Sequence, residues 1–378
     1  MSGLAKEYNR DWSDIFTVQS EVAQKVAVAL ESVISPEVKE RIEALPTENM
    51  EAYDYYLQGN KTYWESWDNF NLIKVQESIE YYQRAISLDE NFSFAYTGIG
   101  RSYWFSAYLT KYRLDKSEYY RKSKQYLNKA ISLDPDNGWA YAELAVVLKS
   151  WNWDIIAARK SLDKAKELMP NDANVYIHYF WLEAYLGNCV KLKEKLEDLE
   201  VFYPDVSNPS SNNYLMLLQC QNKYSEMVSI ADEYFENLDE SLHPTLSMSL
   251  FDAFLHEREF EKAKIVLKYV KDSVKYKSKY LVYKAMLHAK EGDRNSTLQV
   301  LDSLNILSKV EYVPNIWYAA IYASLEENDS MYKFLNSALT NRENELHDIN
   351  YYSVFSTFKE EPRFQEIVRK MWIPIYDP

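Results

Sequence analysis

His256 and Glu257 open the pattern of a zinc-peptidase helix, in which a second histidine four residues after the first completes the metal pair. Position 260 is Phe, so the second ligand is missing. The remaining histidines, His178, His243, His288 and His347, stand far apart and form no close pair. Gly98-Ile99-Gly100 starts like a dinucleotide-binding loop, which needs a third glycine at 103 and a strand before it. Residue 103 is Tyr, and the preceding residues follow a helical period. Neither a G-x-x-x-x-G-K-[ST] phosphate loop nor a G-x-S-x-G nucleophile turn occurs. The acidic runs EKLEDLE (194–200) and KEEP (359–362) suit solvated helix faces, with lysines a turn away to pair them. Cys189 and Cys220 fit neither a metal nor a redox spacing, and they decide nothing about compartment. These residues point to no catalytic, cofactor or metal site, so the question becomes what the chain builds.

Composition narrows the answer. The 378 residues include 7 glycines, about a third of the average share. Few glycines leave few left-handed turns, which disfavours hairpins and suits long helices. The 33 Tyr and 10 Trp can pack between helices while keeping a polar edge wet. A net charge of −14 argues against nucleic acid as the main partner, since phosphate binding needs clustered Lys and Arg. The sequence holds no apolar run of the roughly 18 residues that a membrane span needs. MSGLAKEYNRDW has no signal-peptide core, and its MSG reads as an added start.

One phrase recurs: AISLDENFSFAYTGIG (85–100), AISLDPDNGWAYAELA (130–145) and AKELMPNDANVYIHYF (165–180). Pro135, Pro170 and Pro204 stand 35 and 34 residues apart. That is the period of tetratricopeptide (TPR) helix pairs. Tyr96, Ile99, Gly100 and Tyr103 take the first-helix positions, followed by Tyr141, Leu144, Ala145 and Leu148. Second helices show apolar stripes such as Ala158, Leu162, Ala165 and Leu168. Gly100 and Ala130 are read as points of close helix approach. Turn signals at Gly187-Asn188, Asn222-Lys223, Glu257–Glu259 and Gly292-Asp293 separate later pairs. The step from 85 to 130 exceeds the period by eleven residues, a surplus placed in SAYLTKYRLDKSEY (106–119) as longer helices or a loop.

The predicted fold is all-α, a right-handed TPR superhelix. Residues 1–49 are read as N-terminal capping helices, 50–341 as about eight helix pairs, and 342–378 as a C-terminal cap. A helix over 12–32 is expected to dock its Ile15, Val18, Val22, Val26 and Leu30 stripe on the first repeat.

DIFTVQSEVAQKVAVAL (14–30), PTENMEAYDYYLQG (46–59), WNWD (151–154) and KEEPRFQEIVRKMWIP (359–374) carry a narrower similarity. The chain resembles the TPR module of bacterial multidomain signalling proteins, where a TolB-like region joins a TPR array. In those proteins a class III nucleotidyl cyclase or a winged-helix domain precedes the junction. The resemblance implies a C-terminal module of a larger signalling protein. Residues 1–49 would then be the end of the TolB-like region, and WNWD the start of a second helix. The family's catalytic and DNA-binding residues have no counterparts here.

First helices of such arrays line a peptide-binding face. By register, Asp54, Gln58, Lys61, Arg101, Trp104, Lys149, Trp181 and Tyr185 face it. Arg, Lys and Trp among acidic surroundings suit a protein or peptide segment carrying a carboxylate near an aromatic anchor. That segment belongs to a partner or to the parent protein itself. Each residue also suits an ordinary solenoid surface. The function read from the sequence is a non-catalytic binding scaffold or sensor. The alternatives are a structural dimerisation spacer, with a homodimer through that face, and an enzyme whose site no motif announces.

Overall fold

The computed structural model describes residues 46–371, apart from 111–112, 209–210, 236–243 and 272–276. The expected helix over 12–32, most of the first cap and the end of the last cap lie outside the described residues. Among the described residues the secondary structure is all helix, with no strand.

Sixteen described helices alternate as first and second members of eight pairs. They are α1 (Met50–Asn69) with α2 (Leu72–Leu88), α3 (Ser93–Leu109) with α4 (Arg113–Leu133), α5 (Gly138–Val147) with α6 (Ile155–Leu168), and α7 (Ala173–Leu186) with α8 (Cys189–Glu200). Then come α9 (Asn212–Cys220) with α10 (Tyr224–Phe235), α11 (Pro244–His256) with α12 (Phe260–Lys271), α13 (Lys277–Glu291) with α14 (Arg294–Leu307), and α15 (Asn315–Ser324) with α16 (Asn328–Thr340). Two 3₁₀ turns, Asn344–Asn350 and Ser353–Phe358, lead to α17 (Pro362–Met371). The chain is an all-α helix-pair repeat of the TPR type. The surplus around 106–119 goes into length, since α3 has 17 residues and α4 has 21.

The repeat is written most clearly in backbone conformation. First helices end at a residue in the left-handed region: Trp153 (φ 54°), Gly187 (64°), Asn222 (56°), Arg258 (62°), Gly292 (85°) and Glu326 (60°). These residues follow one another at 34, 35, 36, 34 and 34 positions. From Gly187 onward the end is a Schellman cap. At Arg258, for instance, the Glu259 N–H reaches back to Phe254 O at 2.8 Å and the Arg258 N–H to Leu255 O. The residue after the left-handed position then starts the second helix. Asp154, Asn188 and Asp293 cap it by accepting from the N–H of Ala157, Lys191 and Ser296. In WNWD, therefore, Trp153 makes the turn and Asp154 starts the helix.

The chain divides into two compact units, Met1–Leu109 with Arg121–Ala140, and Thr110–Tyr120 with Tyr141–Pro378. In the first unit α1, α2 and α3 pack mutually. Gly100 sits where α3 meets α4, and a Cβ there would stand 2.6 Å from Leu127 Cγ. Ser123 Oγ donates to the Gly100 carbonyl at 2.6 Å, which pins the approach. Ala130 is fully buried, and its carbonyl accepts from Ser93 Oγ. Gly100→Ala is expected to lower unfolding free energy by about 1–3 kcal/mol through overpacking. The exposed Lys193→Ala should change it by less than about 0.5 kcal/mol. Urea unfolding of both variants measures the contrast, and equal values would displace Gly100 from the seam.

In the second unit α7 packs on its own partner α8 and on the next first helix α9, and α13 packs on α14 and α15 in the same way. Apolar side chains of α9 to α16 merge there into one core around Phe251, Phe254, Met286 and Ile321. Cys189 at the start of α8 and Cys220 at the end of α9 form a disulfide, with Cα atoms 5.6 Å apart. No described helix is long and apolar enough to cross a membrane.

Candidate functional site

The eight candidate residues lie on first helices or their ends and fall into one group in each unit. Asp54, Gln58 and Lys61 line α1, with Gln58 donating to Asp54 at 2.6 Å. Arg101 on α3 lies over the Tyr63 ring at 4.1 Å and donates to Asn60 Oδ1 at 3.1 Å. Trp104 stacks between Trp67 and Tyr108, with ring centroids 6.3 and 6.1 Å away. This first group combines two cations with a row of indole and phenol rings, of which Trp64 and Tyr108 are half exposed.

In the second group Lys149 is drawn inside, while Trp181 and Tyr185 are half-buried. Lys149 belongs to a π turn, Leu148–Asn152, at the end of α5. A π turn holds more residues per turn than an α-helix and rotates the side chains within and after it. Lys149 is thereby 7% exposed, with Nζ 3.7 Å from the centre of the Tyr185 ring. Burial pushes its ammonium pKa down to about 7. Burial also lowers His178 to about 3, with Lys149 adding to the effect. The His347 ring also stacks on Tyr185, with ring centroids 3.7 Å apart.

The chain itself covers Tyr185. The turn Asn344–Asn350 packs on α7, α15 and α16, and the turn Ser353–Phe358 packs on α11 and α15. Leu346, Ile349 and Phe355 are fully buried by this contact. Polar groups fix its path. Asn350 Nδ2 donates to Tyr185 O at 2.9 Å. Ser353 donates to Asp252 from its backbone N–H at 2.7 Å and from its hydroxyl at 2.8 Å. Gln219 adds a third bond to Asp252 at 3.3 Å. Burial raises the Glu345 carboxyl, but the Lys116 ammonium outweighs it and holds the group below the usual range. A Cβ at Gly187 would come within 3.0 Å of Asn350, so the α7 turn leaves room for this segment. Beside it remains a cavity of about 180 Å³ bounded by Trp181, Tyr185, Asn212, Lys279 and Asp348.

Asp252 is the hub that no sequence motif marks. Burial lifts its carboxyl pKa to about 6, against the bonds from Ser353 and Gln219. A carboxyl raised on folding contributes stability that is complete below its unfolded pKa and is lost as pH rises through the folded value. Between pH 7 and pH 5 the wild type should therefore gain about 1–1.5 kcal/mol relative to Asp252→Asn. Urea midpoints of both proteins at the two pH values test this, and parallel pH profiles would refute it.

No family model matches the chain, and no curated protein sequence does. A solved structure of PilF from Pseudomonas aeruginosa, described as its functional characterization, is similar at 18% identity and a TM-score of 0.42, over 64% of this chain and 98% of that one.

Proposed function

We propose that the chain is a non-catalytic scaffold that binds a protein or peptide segment on its first-helix faces, as a sensor or assembly module of a bacterial signalling protein. One observation carries this reading. The first-helix face of the second unit recognises a short irregular segment, residues 343–358, through backbone bonds, a buried carboxylate and ring stacking. Tyr185 serves that internal segment, and Lys149 lies over its ring. The partner's segment is then assigned to Asp54, Gln58, Lys61, Arg101 and Trp104 of the first unit. Arg101 and Lys61 suit a carboxylate there, and Trp104 an apolar anchor.

The test is affinity capture from the source cell with the intact chain and with a folded Lys61→Ala, Trp104→Ala variant. Loss of a true anchor costs about 2 kcal/mol of binding, roughly thirtyfold in affinity. A partner retained by the intact chain and lost by the variant supports the reading. Identical capture by both removes this face from consideration. Sedimentation of the free chain separates the spacer alternative, which requires a dimer that the same variant dissociates.

A further inference from the structure

A second cavity, of about 510 Å³, opens where α11, α13 and α15 end. Its lining combines apolar side chains, Leu255, Phe260, Leu325 and Val354, with the charged side chains of Arg258, Lys290, Arg294 and Glu326. Ser356 and Thr357 of the 3₁₀ turn complete the wall. Arg294 is committed to Glu327. Arg258 and Lys290 make no ion pair among the described residues, in a chain with 57 acidic side chains. The Lys290 ammonium is held below its usual range by burial, and Arg258 adds to this while Glu326 opposes it. Two cations thus line one cavity, and the carboxylates of Glu326 and Asp252 that act on Lys290 do so without forming an ion pair.

Helix C-termini attract cations on their own account, because their last carbonyls carry partial negative charge. Here that role is already filled. The Schellman caps give those carbonyls backbone donors: Glu259 N–H to Phe254 O, Asp293 N–H to His288 O and Glu327 N–H to Tyr322 O. The side chains of Arg258 and Lys290 are not needed as caps. Moreover, Arg258 and Glu326 occupy left-handed positions where Gly292 does the same job without a side chain. A non-glycine residue is strained in that conformation. Strain of this kind concentrates where side chains have work to do.

We propose that this cavity binds a small molecule carrying an oxyanion, phosphate or carboxylate, on an apolar body. The Arg258 guanidinium offers a planar fork of donors, the Lys290 ammonium a point charge, and the two hydroxyls neutral donors. The volume exceeds that of a bare ion and lies in the range of small-ligand pockets. The site is separate from the segment-binding face of the first unit and stands or falls without it.

The experiment tracks the melting temperature of the full chain in inorganic phosphate and, separately, in succinate, with chloride balancing ionic strength. Three proteins are compared: wild type, an Arg258→Gln, Lys290→Gln double variant, and Lys193→Gln as a surface control. A saturable rise is expected for wild type and control in at least one anion. The double variant should need at least about tenfold more of it. A response to phosphate alone assigns a phosphorylated ligand, and a response to succinate alone assigns a carboxylate. No saturable response in wild type, or an equal response in the double variant, overturns the proposal.

Discussion

Tyr82→Ala is expected to cost about 3–5 kcal/mol of stability, the upper range for removing a buried aromatic ring. The Tyr82 ring is completely buried on α2 and lies between two glycines, Gly59 of α1 and Gly98 of α3. A Cβ on either glycine would stand 2.6 Å from the ring. Glycines have no side chains to relax into a void, so the cavity left by alanine stays open. The hydroxyl also donates to Asn60 Oδ1 at 2.8 Å. Tyr82→Phe, which keeps the ring, should lose only about 1 kcal/mol. Urea unfolding of the two variants separates wedge from hydrogen bond. A loss below about 1 kcal/mol in the alanine variant would show that another side chain holds the three helices apart.

Loss of the Cys189–Cys220 disulfide has a comparable expected effect. The bond closes a loop across 31 positions, for which chain entropy gives about 3–4 kcal/mol. Reducing agent should lower the unfolding free energy of the wild type by that amount, seen as a lower urea midpoint. It should leave a Cys189→Ser, Cys220→Ser variant, already destabilised, where it stands. Two free thiols per unreduced chain, or an unchanged midpoint on reduction, would contradict the bond.

Much of the scaffold is legible in the letters, because a helix pair must bury the same stripes each time. The turn signals at Gly187, Asn222 and Gly292 fall on left-handed residues, where glycine and asparagine are the low-strain choices. Trp153 and Glu326 carry no such signal, since Trp and Glu side chains disfavour the left-handed conformation that these residues adopt. A strict 3.6-residue period places Lys149 on an open groove. The π turn breaks that period and carries the ammonium inward. The cysteines carry no recognisable spacing motif because their pairing depends on stacking. Their separation of 31 is close to one repeat, which sets them at neighbouring positions of adjacent helix pairs. Residues 343–358 follow no helical period, so the sequence offers a cap without saying which helices it covers. Asp252 is silent in the sequence for the same reason, as its partner Ser353 lies 101 residues away.

That last segment changes how the second unit can be assembled. Helical repeats ordinarily fold by contacts between neighbours, so a partial array can be stable while the rest is still being made. Here Glu345 pairs with Lys116 across 229 positions, and Asn350 with Tyr185 across 165. Contacts of such sequence separation are slow to form, because chain entropy must be lost before they contribute. During synthesis α7 and α11 emerge long before the residues that cover them. Their first-helix face stays open to water until residues 343–358 have left the ribosome, and the unit closes as one cooperative body only then.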